Sequence, residues 1–134
     1  MFPALLLPAT PSALPADAKE LPSAMYPFES LSPRKLSTHE VRDILKGKLA
    51  TGELVEVHET PLPPGGAPHP PHRHVHSEMW LIREGTVEIT VEGKSTHLGP
   101  GSLGIVRSNE DHGIKNTSGA PGTYFVVAIG PGSA

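Results

Sequence analysis

Four of the eight histidines of this 134-residue chain fall within eight positions, at His69, His72, His74 and His76, and Glu78 follows at once. No other stretch restricts the fold as strongly. In an extended strand, residues i and i+2 point to the same side, so His72 and His74 present two imidazoles side by side. A carboxylate from the start of the following strand, Glu78, completes a third corner. His112 stands in a later strand, behind a turn rich in Asn109, Glu110 and Asp111, and is the natural fourth ligand. Neutral imidazole and carboxylate oxygen together suit one divalent metal ion, Fe, Mn, Co, Ni or Zn. The chain has no cysteine, which removes disulfides, thiolate sites and cysteine nucleophiles.

The surrounding pattern is one of short strands. Residues 54–60 are β-rich and end at Pro61, and residues 79–83 form the next apolar run. Across 86–91 the pattern alternates, with Val87, Ile89 and Val91 on one face and Glu88, Thr90 and Glu92 on the other. Glu92-Gly93 makes a tight hairpin into 94–98, Gly99-Pro100-Gly101 turns the chain into 102–106, and 111–116 and 123–129 complete the set. Strands at this spacing with Gly-rich turns predict a barrel or jelly roll. Ser37-Thr38-His39-Glu40 matches a capping box, and Val41, Ile44 and Leu45 follow at helical spacing, which predicts one short helix over 38–46.

Thirteen of the 16 prolines gather in the first 33 residues and in 61–71, so residues 1–35 read as an extended Pro-rich arm and 36–134 as the barrel. Tyr26, Phe28 and Leu31 are placed to anchor the arm on the barrel or on a partner subunit. The apolar start, residues 2–9, has two readings. One is a Pro/Ala-rich arm; the other is the remnant of an export signal lacking its charged beginning, since no Lys or Arg precedes Lys19. The compartment is therefore open between the cytoplasm and an exported location. No apolar run approaches the ~20 residues of a membrane span. The net charge of −3 and the lack of a basic run argue against nucleic-acid and anionic-membrane partners.

At this point the chain resembles the cupin superfamily. Its first motif (Gly, five residues, His-x-His, three or four residues, Glu, six residues, Gly) is met by Gly66, His72, His74, Glu78 and Gly85. The second (Gly, five residues, Pro-x-Gly, two residues, His, three residues, Asn) is met by Gly101, His112 and Asn116, with Arg107 in place of the Pro and Asn109 in place of the Gly. Asn tolerates positive φ better than most residues, so the second change is mild. The resemblance implies an all-β double-stranded β-helix, or jelly-roll barrel. It also implies a metal ion at its mouth held by His72, His74, Glu78 and His112, and a homodimer in which the N-terminal segment is lent to the neighbour.

Other residues have weaker signals. A register using His74 and His76 as the ligand pair leaves one residue before Glu78, which the family spacing disfavours, so His76 is read as a group behind the ligands or facing substrate. Trp80 and Ile82 share the parity of Glu78 and are candidates to line the barrel below the metal, with core packing as the plain alternative for Trp80. Arg107, like Arg83, is a candidate to meet an anionic substrate. His39, His58 and His97 lack partners at ligand spacing and read as surface or satisfied polar residues. With no separate acid/base pair, nucleophile or phosphate loop in view, chemistry would centre on the metal, with Glu78 as a ligand able to take a proton. The expected function is a metal-dependent oxidoreductase of dioxygenase type acting on a small oxygen-rich molecule. The alternatives are a metal-dependent isomerase or hydrolase, or a non-catalytic cupin that binds a small-molecule ligand, as some one-barrel members do.

Overall fold

The computed structural model describes residues 18–37 and 39–131. The apolar start of the chain, with both of its readings, lies outside the described residues. A single turn of 3₁₀ helix at Phe28–Ser30 precedes nine strands: β1 (Pro33–Lys35), β2 (Glu40–Lys48), β3 (Leu54–Leu62), β4 (Ser77–Glu84), β5 (Val87–Val91), β6 (Lys94–Leu98), β7 (Leu103–Val106), β8 (His112–Lys115) and β9 (Gly122–Gly130). They form a six-stranded sheet in the order β1-β2-β3-β9-β4-β7 and a three-stranded sheet in the order β6-β5-β8, all neighbours antiparallel. Sequential strands crossing between two sheets in this way make a jelly-roll barrel.

The two sheets bury one core between them. Leu62, Trp80, Ile82, Val87, Ile89, Val106, Ile114, Tyr124 and Val126 pack together, with Val91 and Leu98 at the margin. The alternation expected over β5 is what places Val87 and Ile89 inside. The β5–β6 hairpin turns at Glu92 (φ 46°) and Gly93 (φ 80°), both left-handed, as a two-residue turn matching the strand twist requires. Gly85 is fixed more tightly. It sits at φ 74°, and a Cβ there would lie 2.4 Å from the carbonyl oxygen of Pro121, so no other residue fits without moving the β4–β5 and β8–β9 connections.

The segment expected as a helix over 38–46 is instead β2. The apolar spacing that suggests a helix comes from a β-bulge. Asp43 pairs with His58 and Leu45 with Val57, so Ile44 is an extra residue in the strand. The insertion stretches the two-residue period to three, and Arg42 and Leu45 come to share one face. A helix this short is marginal alone, whereas the strand gains β1 on one side and β3 on the other. β3 also runs past Pro61 to Leu62. Its pairing with β2 ends at Glu59, and only β9 accompanies it further, so a residue without an N–H is accommodated there.

Part of the Pro-rich segment docks on this body. The backbone of residues 19–21 bridges Lys48, with Leu21 N–H donating to Lys48 O at 2.7 Å, and Leu21 fills the space above Gly47. Phe28 lies beneath two guanidiniums, those of Arg42 (4.7 Å) and Arg83 (5.5 Å), and Arg83 also pairs with the buried carboxylate of Glu59 at 3.0 Å.

Candidate metal centre

His72, His74 and His112 come together although they are up to 40 positions apart in the chain. The backbone makes this meeting. His72 and His112 exchange both hydrogen bonds, N–H to O at 2.9 Å in each direction, so the first histidine segment is stitched directly to β8. Asn109 N–H donates to His74 O at 2.8 Å, and Asn109 holds φ 63°, the left-handed conformation that the second motif requires of this position. Glu92, from the β5–β6 turn, accepts from Asp111 N–H at 2.8 Å and so fixes the residue before His112. Asn116, 1% exposed, closes the far end of β8. Its amide donates to Leu62 O and Ala120 O and its carbonyl accepts from the Ser118 N–H, while its own backbone pairs with Gly65 and Gly66.

The ligating atoms of His72, His74 and His112 lie within 4.8 Å of one another. Glu78, at the start of β4, faces them. Its Oε1 is 3.0 Å from His74 Nε2, and its Oε2 is 3.4 Å from His112 Nε2. An ion with bonds of ~2.1 Å holds its ligands roughly 3–3.5 Å apart, the separation at which Glu78 stands from His74 and His112. Two further observations test whether these side chains suit a metal. The Nδ1–H of His74 donates to His76 O (3.0 Å) and that of His112 to Glu110 O (2.9 Å). A carbonyl only accepts, so both rings carry a proton on Nδ1, and in the neutral form, the one that can ligate, the bare nitrogen is Nε2. Those two Nε2 atoms are buried without an aligned hydrogen-bond partner, although Glu78 is close. Lone pairs aimed at one point, with a carboxylate beside them, fit a divalent cation.

The electrostatics agree. Burial pushes the His72 imidazole down to about 4, helped by neighbouring His69, His112 and His74, so it is neutral and able to ligate at pH 7. Burial alone would raise the Glu78 carboxyl, but the close imidazoles of His112, His74 and His76 outweigh it and hold Glu78 well below the usual carboxylate range. Burial lowers the His112 imidazole, yet Glu78 and the Glu110 carbonyl reverse the sign and raise it.

A profile of the Cupin domain family matches residues 58–128. The chain belongs to the cupin family. Solved structures carry the same fold. A predicted oxalate decarboxylase from Thermotoga maritima is 20% identical at a TM-score of 0.68, covering 79% of this cupin and 98% of that chain. An RmlC-like cupin from Shewanella frigidimarina is 19% identical at 0.66, covering 80% and 91%. The DMSP lyase DddQ from Ruegeria pomeroyi is 26% identical at 0.52, covering 57% of this cupin and 38% of that chain. No curated protein matches the sequence.

Beside the centre is a cavity of about 280 Å³. His72, His74, Glu78 and His112 form one wall, Trp80, Ile114 and Val126 the apolar floor, and Pro68 and His69 the rim. The other wall is built by the inward faces of β1–β3 and β9: Arg34, Asp43, Glu56, His58, Thr60 and Tyr124. Of the expected substrate-facing residues, Trp80 lines the cavity, its ring 5.6 Å from that of His112. Ile82 is packed in the core deeper down the same strand and is absent from the cavity lining. Arg107 is exposed in the turn after β7, its backbone N–H donating to Glu110, and does not reach the cavity. His76 is buried behind the ligands: its ring stacks on His74 at 3.8 Å and its Nε2 is 3.5 Å from Glu78 Oε1. With His74 and Glu78 it forms a second ligand-like group. His69 stacks on His72 at 3.9 Å. The residue that spacing arguments passed over is His58, which faces the cavity and not solvent. The signal was present in the alternation of Glu56, His58 and Thr60 with Val55 and Val57.

Proposed function

We propose that this cupin is a metal-dependent enzyme acting on a small oxygen-rich molecule, with oxidation of dioxygenase type as its chemistry. One observation carries the reading. Three imidazoles and one carboxylate line one side of a cavity, so an ion held there would keep coordination positions directed into that cavity. Bound Fe, Mn, Ni or Zn would supply Lewis-acid polarisation and, for the redox-active ions, activation of dioxygen. His72, His74, His112 and Glu78 would hold the ion. The tautomers fixed by His76 O and Glu110 O keep two of those donors aimed. Glu78 is the group placed to take a proton, and Trp80, Ile114 and Val126 keep the floor of the cavity dry. The volume limits the substrate. At ~30 Å³ per water-sized group the cavity takes a molecule of roughly nine such groups.

A second reading, metal-dependent acid–base chemistry without net oxidation, is favoured by the protic side chains of His58, Thr60 and Tyr124 on the opposite wall. It also accords with the decarboxylase and lyase among the structural neighbours. One experiment separates the possibilities. The protein is loaded in turn with Fe(II), Mn(II), Ni(II) and Zn(II). Each form is then incubated with catechols, flavonols, β-diketones and small di- and hydroxycarboxylates, with oxygen followed by electrode and products by NMR. Oxygen uptake coupled to substrate loss supports the dioxygenase. Turnover under argon replaces it with the second reading. Tight binding without turnover makes the protein a ligand-binding cupin.

We further propose a homodimer formed through the outer face of the six-stranded sheet. On β7, an edge strand, Leu103 and Ile105 are 55% and 65% exposed, and Leu81, paired with Leu103 on the adjacent β4, extends the apolar surface. Light scattering is expected to give twice the chain mass, falling to one chain mass for Ile105→Lys; a monomeric wild type overturns this.

A further inference from the structure

We infer that His58 is the proton acceptor for the molecule that docks at the metal centre, and that this molecule is therefore an oxygen chelator arriving with an acidic O–H or enolisable C–H. The inference rests on the reading above that a small oxygen-rich molecule occupies the cavity.

His58 lies on β3 between Val126 of β9 and Asp43 of β2, and its side chain lines the cavity that the four ligand residues face from the other side. Among the described residues no hydrogen bond or ion pair to its ring is found, and its ring nitrogens are not among the fully buried unpaired atoms, so they are accessible to a molecule entering the cavity. Its surroundings define what the ring can accept. Burial disfavours the imidazolium and lowers the group below the ordinary histidine value, so the ring is neutral at pH 7 and has a lone pair to offer. Yet two carboxylates on its own wall favour a proton there. Glu56 on the same face of β3 and Asp43 on β2 both favour the imidazolium, while Arg34, which opposes it, is paired with Asp43 at 2.9 Å. Tyr124 of β9 and His39 from the β1–β2 connection are the remaining titratable groups of that wall. Burial raises the Tyr124 phenol, so it does not compete as a base.

The step balances without an oxidant. The O–H bond of the incoming molecule breaks with its electron pair left on oxygen. The proton forms an N–H bond on His58, which becomes imidazolium facing Glu56. The molecule is left as the anion, the form that a divalent cation binds most strongly. Return of the proton reverses the charge and allows release.

The test needs no knowledge of the natural substrate. Acetohydroxamic acid is a small O,O-chelator with one acidic proton. Its binding to the Zn(II)-loaded protein is titrated calorimetrically at pH 7 in buffers of different ionisation enthalpy, so that the protons delivered to buffer are counted. The wild type is expected to release less than about half a proton per probe bound, because His58 keeps it, whereas His58→Gln releases about one and binds roughly tenfold more weakly. Equal release from both overturns the inference and leaves the metal reading standing, since the probe has still bound. No binding to the zinc-loaded wild type sinks that reading, and the inference with it. Retained zinc content shows that His58→Gln is folded. Should it lose zinc, Glu56→Gln carries the test: release must rise above the wild-type value, and unchanged release overturns the inference.

Discussion

His74→Ala separates the two roles that a buried ligand plays. The ring is 6% exposed, its Nδ1–H is held by His76 O and its Nε2 points at the shared centre. Deleting it removes a hydrogen bond and leaves a small void, about 1–3 kcal/mol of destabilisation present whether or not metal is added. It also removes one of four donors, and that loss appears only with metal. An ion in 100-fold excess over its Kd stabilises the wild type by RT ln(1 + [L]/Kd), about 2.7 kcal/mol. Even loss of a group supporting a ligand weakens metal sites 10–100-fold. With the ligand itself gone, the same concentration is at or below the new Kd and the increment falls to about 0.4 kcal/mol or less. At ~3–5 °C per kcal/mol for a domain between about 100 and 150 residues in size, adding metal should raise the wild-type Tm by roughly 8–14 °C and that of the variant by no more than ~2 °C.

The assay is a pair of thermal melts for each protein, one with EDTA and one with Zn(II) or Mn(II), together with metal analysis after desalting. The difference between the two metal increments is the decisive quantity, because the void and the lost hydrogen bond cancel in it. A variant that keeps a full equivalent of metal, or the full increment in Tm, would show that His74 is not a ligand, whatever its absolute stability.

Three further outcomes are expected. In the metal-free protein, stability declines on both sides of a maximum near neutral pH. His72, lowered to about 4, withdraws its contribution as pH falls from its ordinary value toward 4, and Glu78, also lowered, does so below its own ordinary value. His112, raised, contributes fully below the ordinary histidine value and loses this as pH rises through its own. Denaturation midpoints across pH 4–9 check the two signs, and a midpoint that climbs steadily into alkali refutes the His112 assignment. Gly85→Ala combines a left-handed φ of 74° with a Cβ 2.4 Å from Pro121 O, so a loss of ~2–4 kcal/mol in urea unfolding is expected, and a loss below ~1 kcal/mol is incompatible with the close approach. Asn116→Ala removes the hydrogen bonds from its amide to Leu62 O and Ala120 O and the one that Ser118 N–H donates to it. It should cost about 2–4 kcal/mol and loosen metal binding through β8, read by calorimetry with Zn(II).

The sequence pointed to His72, His74, Glu78 and His112 through motif spacing, and the structure brings His72, His74 and His112 together beside Glu78, although residues 73–76 lie in no strand. β5 and β6 were legible because a strand's two-residue period is local, with Glu92-Gly93 marking the turn. What escaped was non-local or irregular. The bulge at Ile44 gives β2 the spacing of a helix, and only its pairing with β3 reveals the extra residue. His58 looked solitary because its neighbours across the sheet, Asp43 and Val126, are 15 and 68 positions away. Parity placed Trp80 against the cavity but could not say that the cavity stops short of Ile82. Arg107 occupies a motif position whose backbone matters to the turn and whose side chain leaves the barrel.

The two walls of the cavity are held by different means, and this assigns them different work. The ligand wall is fixed largely by main chain: His72 to His112, Asn109 to His74, Asp111 to Glu92, Gly65 and Gly66 to Asn116. Such contacts do not depend on an ion, so the donors are arranged before it arrives and little ordering is charged against its binding. The opposite wall is made of polar side chains, among them Glu56, His58 and Thr60 of β3. Polar groups facing a cavity whose other wall carries a candidate cation site point to a polar molecule entering between the two. Replacing His58 by Val should accordingly impair the docking of a protonated chelator.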